Sequence, residues 1–320
     1  MEPLRVAFLG PAASFSHQAA VESFGPSASL YPKLSFADAF ASVQNTEADF
    51  AIIPFENSTN GSVVQTLDLL ADRKDLYKDV KVCGEHYLTV HHCLLARKDA
   101  FPSNPPDYSS ITKLYTHPQA WGQCEIFLSK HFKGVERQDV SSTSKAAEIV
   151  LKTPTELSAA IASKFAAEYH GLAILAENIE DKADNTTRFL VLRNVKSERT
   201  AQITFDQVKG PVIQERSELA VPRKTLISFL LRQNAPGALA DALLVFKDHG
   251  MNLTSISTRP SHRQAWRYVF FVEGQRVLTD ENKEAVDRIL QSLRAVTDSC
   301  RDWGTWKDQL LRAQAENGSN

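Results

Sequence analysis

Short apolar runs alternate with amphipathic segments from Arg5 to about Arg193. The runs that predict strands are RVAFLG, DFAIIPF, YLTVHHCLLA, KLYTH, SAAIA, LAILA and RFLVLR. Strands that alternate with helices are typical of an α/β architecture, in which helices cover a largely parallel sheet. Helix starts are predicted at Ser14, at the run SSTS (141–144), and at SVVQ and THPQ, which have the spacing of capping boxes.

A different order of elements begins near Arg223. The segments TLISFLLR, GALADALLVFKDHG, NLTSISTRP, WRYVFFVEG and ENKEAVDRILQSLRAV, with a short strand near SCRDWGTW, follow the order βαββαβ. This order predicts a ferredoxin-like domain. The stretch before it has mixed charge and no clean period, and the chain ends in AQAENGSN. We therefore predict an α/β region at 1–193, a linker at 194–222, the ferredoxin-like domain at 223–306 and a disordered tail at 307–320.

The composition is that of a soluble globular protein. The 320 residues are 43% hydrophobic and carry a formal net charge of -2, so no summed electric field attracts nucleic acid or a membrane surface. The chain opens with a strand-like run where a signal core would stand, and no apolar run approaches the roughly 18 residues of a membrane span. We expect a cytoplasmic protein. The cysteines are widely separated, which predicts neither a disulfide framework nor a structural zinc site.

Polar side chains crowd the ends of several predicted strands. The stretch ADNTTRFLVL (183–192) places four polar residues before an apolar run, and ordinary turn chemistry is enough to explain it alone. The loop PFENSTNGS (54–62) similarly places Glu56 and Asn57 at a strand end. GPAASFSHQAA, YTHPQAWGQC and SSTSKAA repeat the pattern of hydroxyls or amides beside a helix start. Together these junctions predict a cleft for a polyanion, lined by neutral hydrogen-bond donors.

Other chemistries lack their motifs. There is no phosphate-binding P-loop, no dinucleotide fingerprint, no HExxH and no GxSxG elbow, so we predict neither a metal nor an organic cofactor. His91 and His92 are adjacent on a predicted strand, so they face opposite sides and are interpreted as structural. His117 follows Thr116 in the first turn of a predicted helix, where a capping role is at least as good an explanation as a catalytic one.

The motifs resemble those of the prephenate dehydratase family, in the family's order, over about residues 5 to 193. The matching segments are FLGPAASFSHQAA, PFENSTNGSVVQTLDLL, THPQAWGQC, STSKAAE and NTTRFLVL. Each motif alone is weak, but all of them in the correct order are specific. The ferredoxin-like segment resembles the ACT regulatory domain of that family, with PGALADALLVF matching its effector motif.

The resemblance implies a catalytic region similar to type 2 periplasmic binding proteins, with the active site between two lobes. It implies conversion of prephenate to phenylpyruvate, water and carbon dioxide. Thr187 would hydrogen-bond or protonate the leaving C4 hydroxyl oxygen, Arg188 would pair with a substrate carboxylate or polarise Thr187, and Glu56 is the nearby carboxyl candidate for a proton source. The residues expected to bind substrate are Ser14, Asn57, Thr116, Gln123, Thr143 and Phe189.

The resemblance also implies feedback inhibition by L-phenylalanine through the ACT domain. The residues expected to bind this effector are Gly237, Ala238, Leu239, Asn252, Thr258 and Arg259. Ser257 stands where the family usually has glutamate, which predicts weaker effector binding. ACT domains of the family typically pair, so we expect a homodimer or a homotetramer whose ligands are small molecules.

Two alternatives remain at this point. Arogenate dehydratases share these motifs and act on a substrate with an amino group in place of the side-chain keto oxygen, and the sequence does not separate the two. A non-catalytic sensor or binding protein for small anions would share the bilobed fold. The NTTRF match and the absence of a signal pattern argue against a binding protein.

Overall fold

A computed structural model of the chain describes residues 2–101, 107–201, 203–208, 222–232, 236–276 and 282–310. Within these ranges the chain forms three sheets, two of which belong to the predicted α/β region. Residues 202 and 209–221 of the predicted linker lie outside the described residues, as do residues 311–320 of the predicted tail. No helix in the described ranges is both long and apolar enough to cross a membrane.

The first lobe begins with alternating strands and helices. Its elements are β1 (Arg5–Leu9), α1 (Phe15–Phe24), β2 (Ser29–Lys33), α2 (Phe36–Gln44), β3 (Phe50–Asn57), β4 (Gly61–Ser62), α3 (Val64–Leu70) and β5 (Val80–Thr89). Helix α2 begins with a full capping box between Ser35 and Asp38. Helix α3 begins at a valine cap, Val63, because Ser62 pairs with Glu56 in β4, so the capping box predicted at SVVQ is wrong.

The second lobe follows β5 directly. Its elements are β6 (Cys93–Ala96), β7 (Lys113–Thr116), α4 (Pro118–Gln123), α5 (Glu125–His131), β8 (Glu136–Asp139), α6 (Thr143–Lys152), β9 (Ser158–Ala162), α7 (Lys164–His170) and β10 (Ala173–Ala176). Its sheet has the order β10-β6-β9-β7-β8, parallel between β7 and its neighbours and antiparallel elsewhere.

The chain then returns to the first lobe through β11 (Thr186–Asn194), which is followed by α8 (Phe205–Val208). The first-lobe sheet has the order β2-β1-β3-β11-β5, with β4 paired to β3. Because β11 enters from the second lobe, it runs antiparallel to both β3 and β5. The bilobed α/β prediction is confirmed, but the sheets are mixed, whereas the strand pattern predicted a largely parallel one.

The C-terminal domain has the predicted ferredoxin-like order. Its elements are β12 (Arg223–Leu231), α9 (Ala238–Asp248), β13 (Asn252–Pro260), β14 (Tyr268–Arg276), α10 (Asn282–Val296) and β15 (Thr297–Lys307). They form an antiparallel sheet of order β13-β14-β12-β15. Strand β15 passes the predicted boundary at 306, and the next residue, Asp308, is buried.

The C-terminal sheet packs against the first lobe. Leu226, Phe271 and Trp303 from this sheet share one hydrophobic core with Ile53 and Leu190 from β3 and β11. Gly304 allows a close approach between the two, since a Cβ atom there would lie 2.1 Å from the carbonyl oxygen of Val82. The strands that carry the TRF and glutamate-asparagine motifs are therefore backed by the C-terminal domain.

Candidate active site

Thr187 and Asn57 face each other at the mouth of the first-lobe sheet. They are partners in the β3–β11 ladder, so their side chains share one face. The Asn57 amide nitrogen donates to the Thr187 hydroxyl at 3.0 Å and to Asn185 Oδ1 at 2.9 Å. The Asn57 amide oxygen accepts from the backbone N–H groups of Thr59 and Asn60. Since Thr187 Oγ accepts from Asn57, its own proton remains available to a ligand oxygen.

Arg188 and Glu56 occupy the opposite face of the same strands. Arg188 is 6% exposed, and its Nε donates to Glu85 of β5 at 2.9 Å. Its Nη1 and Nη2 donate to the two carboxylate oxygens of Glu273 of β14, at 3.2 and 2.5 Å. A Glu56 oxygen lies 3.9 Å from Nη1. Neighbouring strand residues alternate in direction, so Arg188 faces protein carboxylates where we expected a substrate carboxylate, and Glu56 lies away from the Thr187 hydroxyl.

The carboxylates around Arg188 belong to a larger buried charge network. Lys224 of β12 contacts Glu85 at 3.2 Å, Asp308 at 2.9 Å and the Tyr87 hydroxyl at 2.9 Å. Burial alone would lower the pKa of Arg188, but Glu85 and Glu273 outweigh it and raise that pKa. Burial likewise opposes the charge of Lys224, and Glu85 raises its pKa above the ordinary range. Both cations therefore stay charged at every physiological pH.

Tyr87 stays neutral in the same network. Burial, with a further contribution from the negative charge of Glu85, raises the pKa of Tyr87 to about 12. Its hydroxyl accepts from Lys224, and its ring lies against the Arg188 guanidinium. The Tyr87 ring therefore packs against the guanidinium of the Arg188–Glu85 pair without adding a charge.

Helix starts hold three of the predicted polar residues. Ser14 caps α1 by accepting from the His17 N–H, as predicted. Helix α6 is capped by Ser142, so Thr143 is its first residue and is buried. Helix α4 is capped by His117, which confirms the capping interpretation of that histidine and shows that the predicted box starting at Thr116 is wrong.

Three further predicted substrate residues have partners inside the protein. The Thr116 hydroxyl donates to the Ile161 carbonyl at 2.7 Å, and the residue is fully buried. Gln123 Oε1 lies 2.8 Å from His92 Nε2. Phe189 packs in the core of the first lobe at 1% exposure. The structure therefore pairs Asn57 with Thr187, while these three side chains contact other residues of the protein.

The two segments that cross between the lobes are tied to each other. His91 Nδ1 lies 2.7 Å from one oxygen of Glu180, and the His92 N–H donates to the other at 2.8 Å. Burial lowers the pKa of His92, so its ring is neutral. The two histidines lie in the crossing between β5 and β6, so the prediction that they are neighbours on a strand is wrong. A cavity of about 220 Å³ lies beside this crossing, lined in part by Phe15, His91 and Lys164, and none of the predicted catalytic or substrate residues lines it.

Sequence reasoning missed four residues of the site region. Asn185 lies in the quoted motif but was not assigned a role, although it is buried against Asn57. Glu85, Glu273 and Lys224 come from segments far apart in the chain, so no local motif joins them. The available signal was Glu273, a charged residue inside the predicted strand WRYVFFVEG, because such residues are rarely buried without a partner.

The predicted effector residues are divided between two environments. Gly237 has φ +87° and precedes α9, a conformation that favours glycine, with Ala238 and Leu239 in the first turn. Asn252 and Thr258 lie exposed on the edge strand β13. Arg259 instead forms a bidentate ion pair with Asp68 of the first lobe, at 2.8 and 3.0 Å.

The described residues contain no group of three or more His, Cys, Asp or Glu side chains that could hold a metal ion.

The family model for prephenate dehydratase matches residues 6–197, and the ACT domain model matches residues 225–291. The chain belongs to the prephenate dehydratase family. The C-terminal sheet is accordingly its ACT domain.

Relatives and solved structures agree with this membership. The chain is 37% identical to a bifunctional chorismate mutase/prephenate dehydratase of Aquifex aeolicus, over 97% of this chain and 75% of that protein. It is 32% identical to a probable prephenate dehydratase of Saccharomyces cerevisiae, over 95% of both chains. A crystal structure of prephenate dehydratase from Arthrobacter aurescens in complex with L-Phe has a TM-score of 0.76 and 25% identity, covering 98% of both chains.

Proposed function

We propose that this chain is a prephenate dehydratase that is inhibited by L-phenylalanine bound to its ACT domain. The observation that carries the proposal is the Asn57–Thr187 hydrogen bond, which joins two family motifs at the ends of their strands. Because the Thr187 hydroxyl accepts this bond, its O–H group can donate to a substrate oxygen. The comparisons support the same activity, since both family models match and relatives over most of the chain bear this name.

The proposed mechanism needs few groups. Loss of the C4 hydroxyl and of the ring carboxylate aromatises the ring, so the reaction supplies much of its own driving force. Thr187 donates a hydrogen bond to the departing oxygen, and this bond strengthens as negative charge develops there. A preorganised donor of this type is typically worth about 10²–10³ in rate. Asn57 fixes the direction in which the Thr187 proton points.

Turnover of prephenate tests the proposal directly. We expect the purified protein to convert prephenate to phenylpyruvate, identified by absorbance in base and by mass. A parallel assay with arogenate, read as phenylalanine formation, decides between the two dehydratases. A protein that binds prephenate calorimetrically without converting either compound would be a sensor, and the proposed enzyme function would be rejected.

We expect catalysis without a metal or an organic cofactor. Departure of hydroxide and carbon dioxide requires no electron sink, and Thr187 supplies the donor. Turnover should remain within about twofold after chelation with EDTA and exhaustive dialysis, a change too small to reflect loss of a metal that activates water or a leaving group. Restoration of a lost activity by one added divalent metal would contradict this expectation.

Assembly and location complete the proposal. We place the enzyme in the cytoplasm as a homodimer or homotetramer joined through ACT domains. The edge strand β13 supports this assembly, because it exposes Leu253 and Ile256 at 36% and 50%. The described cysteines are all free thiols, as is usual in a reducing compartment.

A further inference from the structure

The backbone ladder is irregular next to Thr187. The register between β11 and β3 shifts between Arg188 and Phe189, and Phe189 is paired with Pro54. Proline has no N–H to donate to a ladder, and a bulge loosens the pairing around it. On its other side β11 pairs with β5 in regular register from Thr186 to Val191, so the irregularity beside Thr187 is confined to the β3 side. A side-chain contact adds to the backbone pairing that positions Thr187.

The Arg188 side chain supplies that contact. Its guanidinium lies between Glu85 of β5 and Glu273 of the ACT strand β14, and each carboxylate is almost completely buried. The rings of Phe55 and Tyr87 lie on it at 5.3 and 5.8 Å. Arg188 thus ties the start of β11 to its neighbour in the lobe and to the ACT domain. It is adjacent in sequence to Thr187.

We propose that Glu273 of the ACT domain is a positioning residue for Thr187, acting through Arg188. The effect of Glu273 on kcat rests on the proposed function, whereas its effect on the position of β11 does not. Glu273 binds Arg188 through both carboxylate oxygens, and one of them also accepts from the Thr254 hydroxyl at 3.0 Å. Thr254 belongs to β13, the strand that carries Asn252. The ACT domain therefore reaches the residue beside Thr187 directly.

The Glu273 carboxylate is bound to Arg188 more exclusively than the Glu85 carboxylate is. Glu85 also binds Lys224 and the backbone N–H of Gln309, so its position is set by several groups. If Glu273 loses its charge, Arg188 keeps one strong partner inside the protein. Glu56, 3.9 Å away at the partly exposed rim, then becomes the competing carboxylate. Rotation of Arg188 toward Glu56 would shift the start of β11 and the direction of the Thr187 hydroxyl.

The experiment compares Glu273→Gln with two other variants of the full chain. Glu273→Asp keeps the charge on a shorter side chain. Asp302→Asn is the matched control, because Asp302 pairs with Lys81 across the same domain interface, and Lys81 is opposite Arg193 at the far end of β11. We expect Glu273→Gln to lower kcat about tenfold with KM within about threefold, since small displacements of a reacting group are costly. Glu273→Asp should retain more activity, and Asp302→Asn should retain wild-type kcat.

Hydrogen exchange of the peptide covering residues 183–192 is measured in the same proteins without substrate. We expect faster exchange in Glu273→Gln than in Asp302→Asn. If Glu273→Gln fails to fold, Thr254→Val serves in its place, with a smaller decrease in kcat of about two- to threefold expected from the loss of one hydrogen bond.

The outcomes separate the two proposals. Faster exchange in an enzyme that does not convert prephenate would uphold the positioning role while rejecting the dehydratase function. An active wild type, with exchange and kcat in Glu273→Gln equal to those of Asp302→Asn, would overturn the role of Glu273. So would a wild-type kcat in Thr254→Val, if that variant is the one measured.

Discussion

Replacement of Thr187 by alanine is expected to lower kcat by about 10² or more while KM changes far less. The hydroxyl accepts from Asn57, so its proton is directed to a ligand, and its hydrogen bond is used chiefly as charge develops on the departing oxygen. Thr187→Ser keeps the hydroxyl and should retain more activity. Steady-state kinetics with prephenate measures both parameters.

Thr186 provides the matched control for this prediction. Its hydroxyl donates to the Asp184 carbonyl at 3.1 Å, on the turn before the strand, so Thr186→Ala removes a hydroxyl one residue away without altering the Asn57 contact. We expect near-wild-type kcat for this variant. Turnover of Thr187→Ala at the wild-type rate would exclude Thr187 from the mechanism.

Bound L-phenylalanine is expected to weaken prephenate binding by roughly 5–150-fold, and prephenate should weaken phenylalanine binding by the same factor, because coupling free energies are about 1–3 kcal/mol and reciprocal. Calorimetric titration of phenylalanine, with and without a substrate analogue, measures the factor. The N–H groups in the first turn of α9, which has no side-chain cap among the described residues, can take the effector carboxylate, and Asn252 lies exposed on β13.

A point substitution tests the effector site better than removal of the ACT domain. Truncation before Arg223 would remove Glu273 from Arg188 and Lys224 from Glu85, and the loss of these buried partners would disturb the strand that carries Thr187. Asn252→Ala should lose at least about tenfold in phenylalanine affinity, equivalent to about 1.4 kcal/mol, with kcat unchanged. Ser255→Ala on the same strand is the control. Equal phenylalanine sensitivity in both variants would exclude Asn252 from the site.

Much of the fold followed from local patterns. The alternation of apolar runs predicted the α/β region, and the order of elements after Arg223 predicted the ferredoxin-like domain, because both depend on periodicity within short segments. The two lobes were implied by the family resemblance alone. The antiparallel β11 was not predicted. Its direction depends on where the chain leaves the second lobe, and the residues of an apolar strand do not indicate whether it will pair parallel or antiparallel.

The residues of the candidate site could be predicted only where they lie in a family motif. Asn57 and Thr187 each lie in a family motif, and the structure pairs them. Arg188 lies in the same motif, but its partners, Glu85 and Glu273, come from distant strands. Its direction is set by tertiary pairing, so the sequence alone suggested a substrate contact that the structure replaces with protein carboxylates.

The place of β11 between β3 and β5 has a consequence for how the protein is made. During synthesis, the first lobe emerges from the ribosome without its inner strand, and the whole second lobe must follow before β11 can be inserted. Contacts between residues so far apart in the sequence form late and slowly. The first-lobe sheet therefore waits for the second lobe, and the strand that completes it is the one that delivers Thr187.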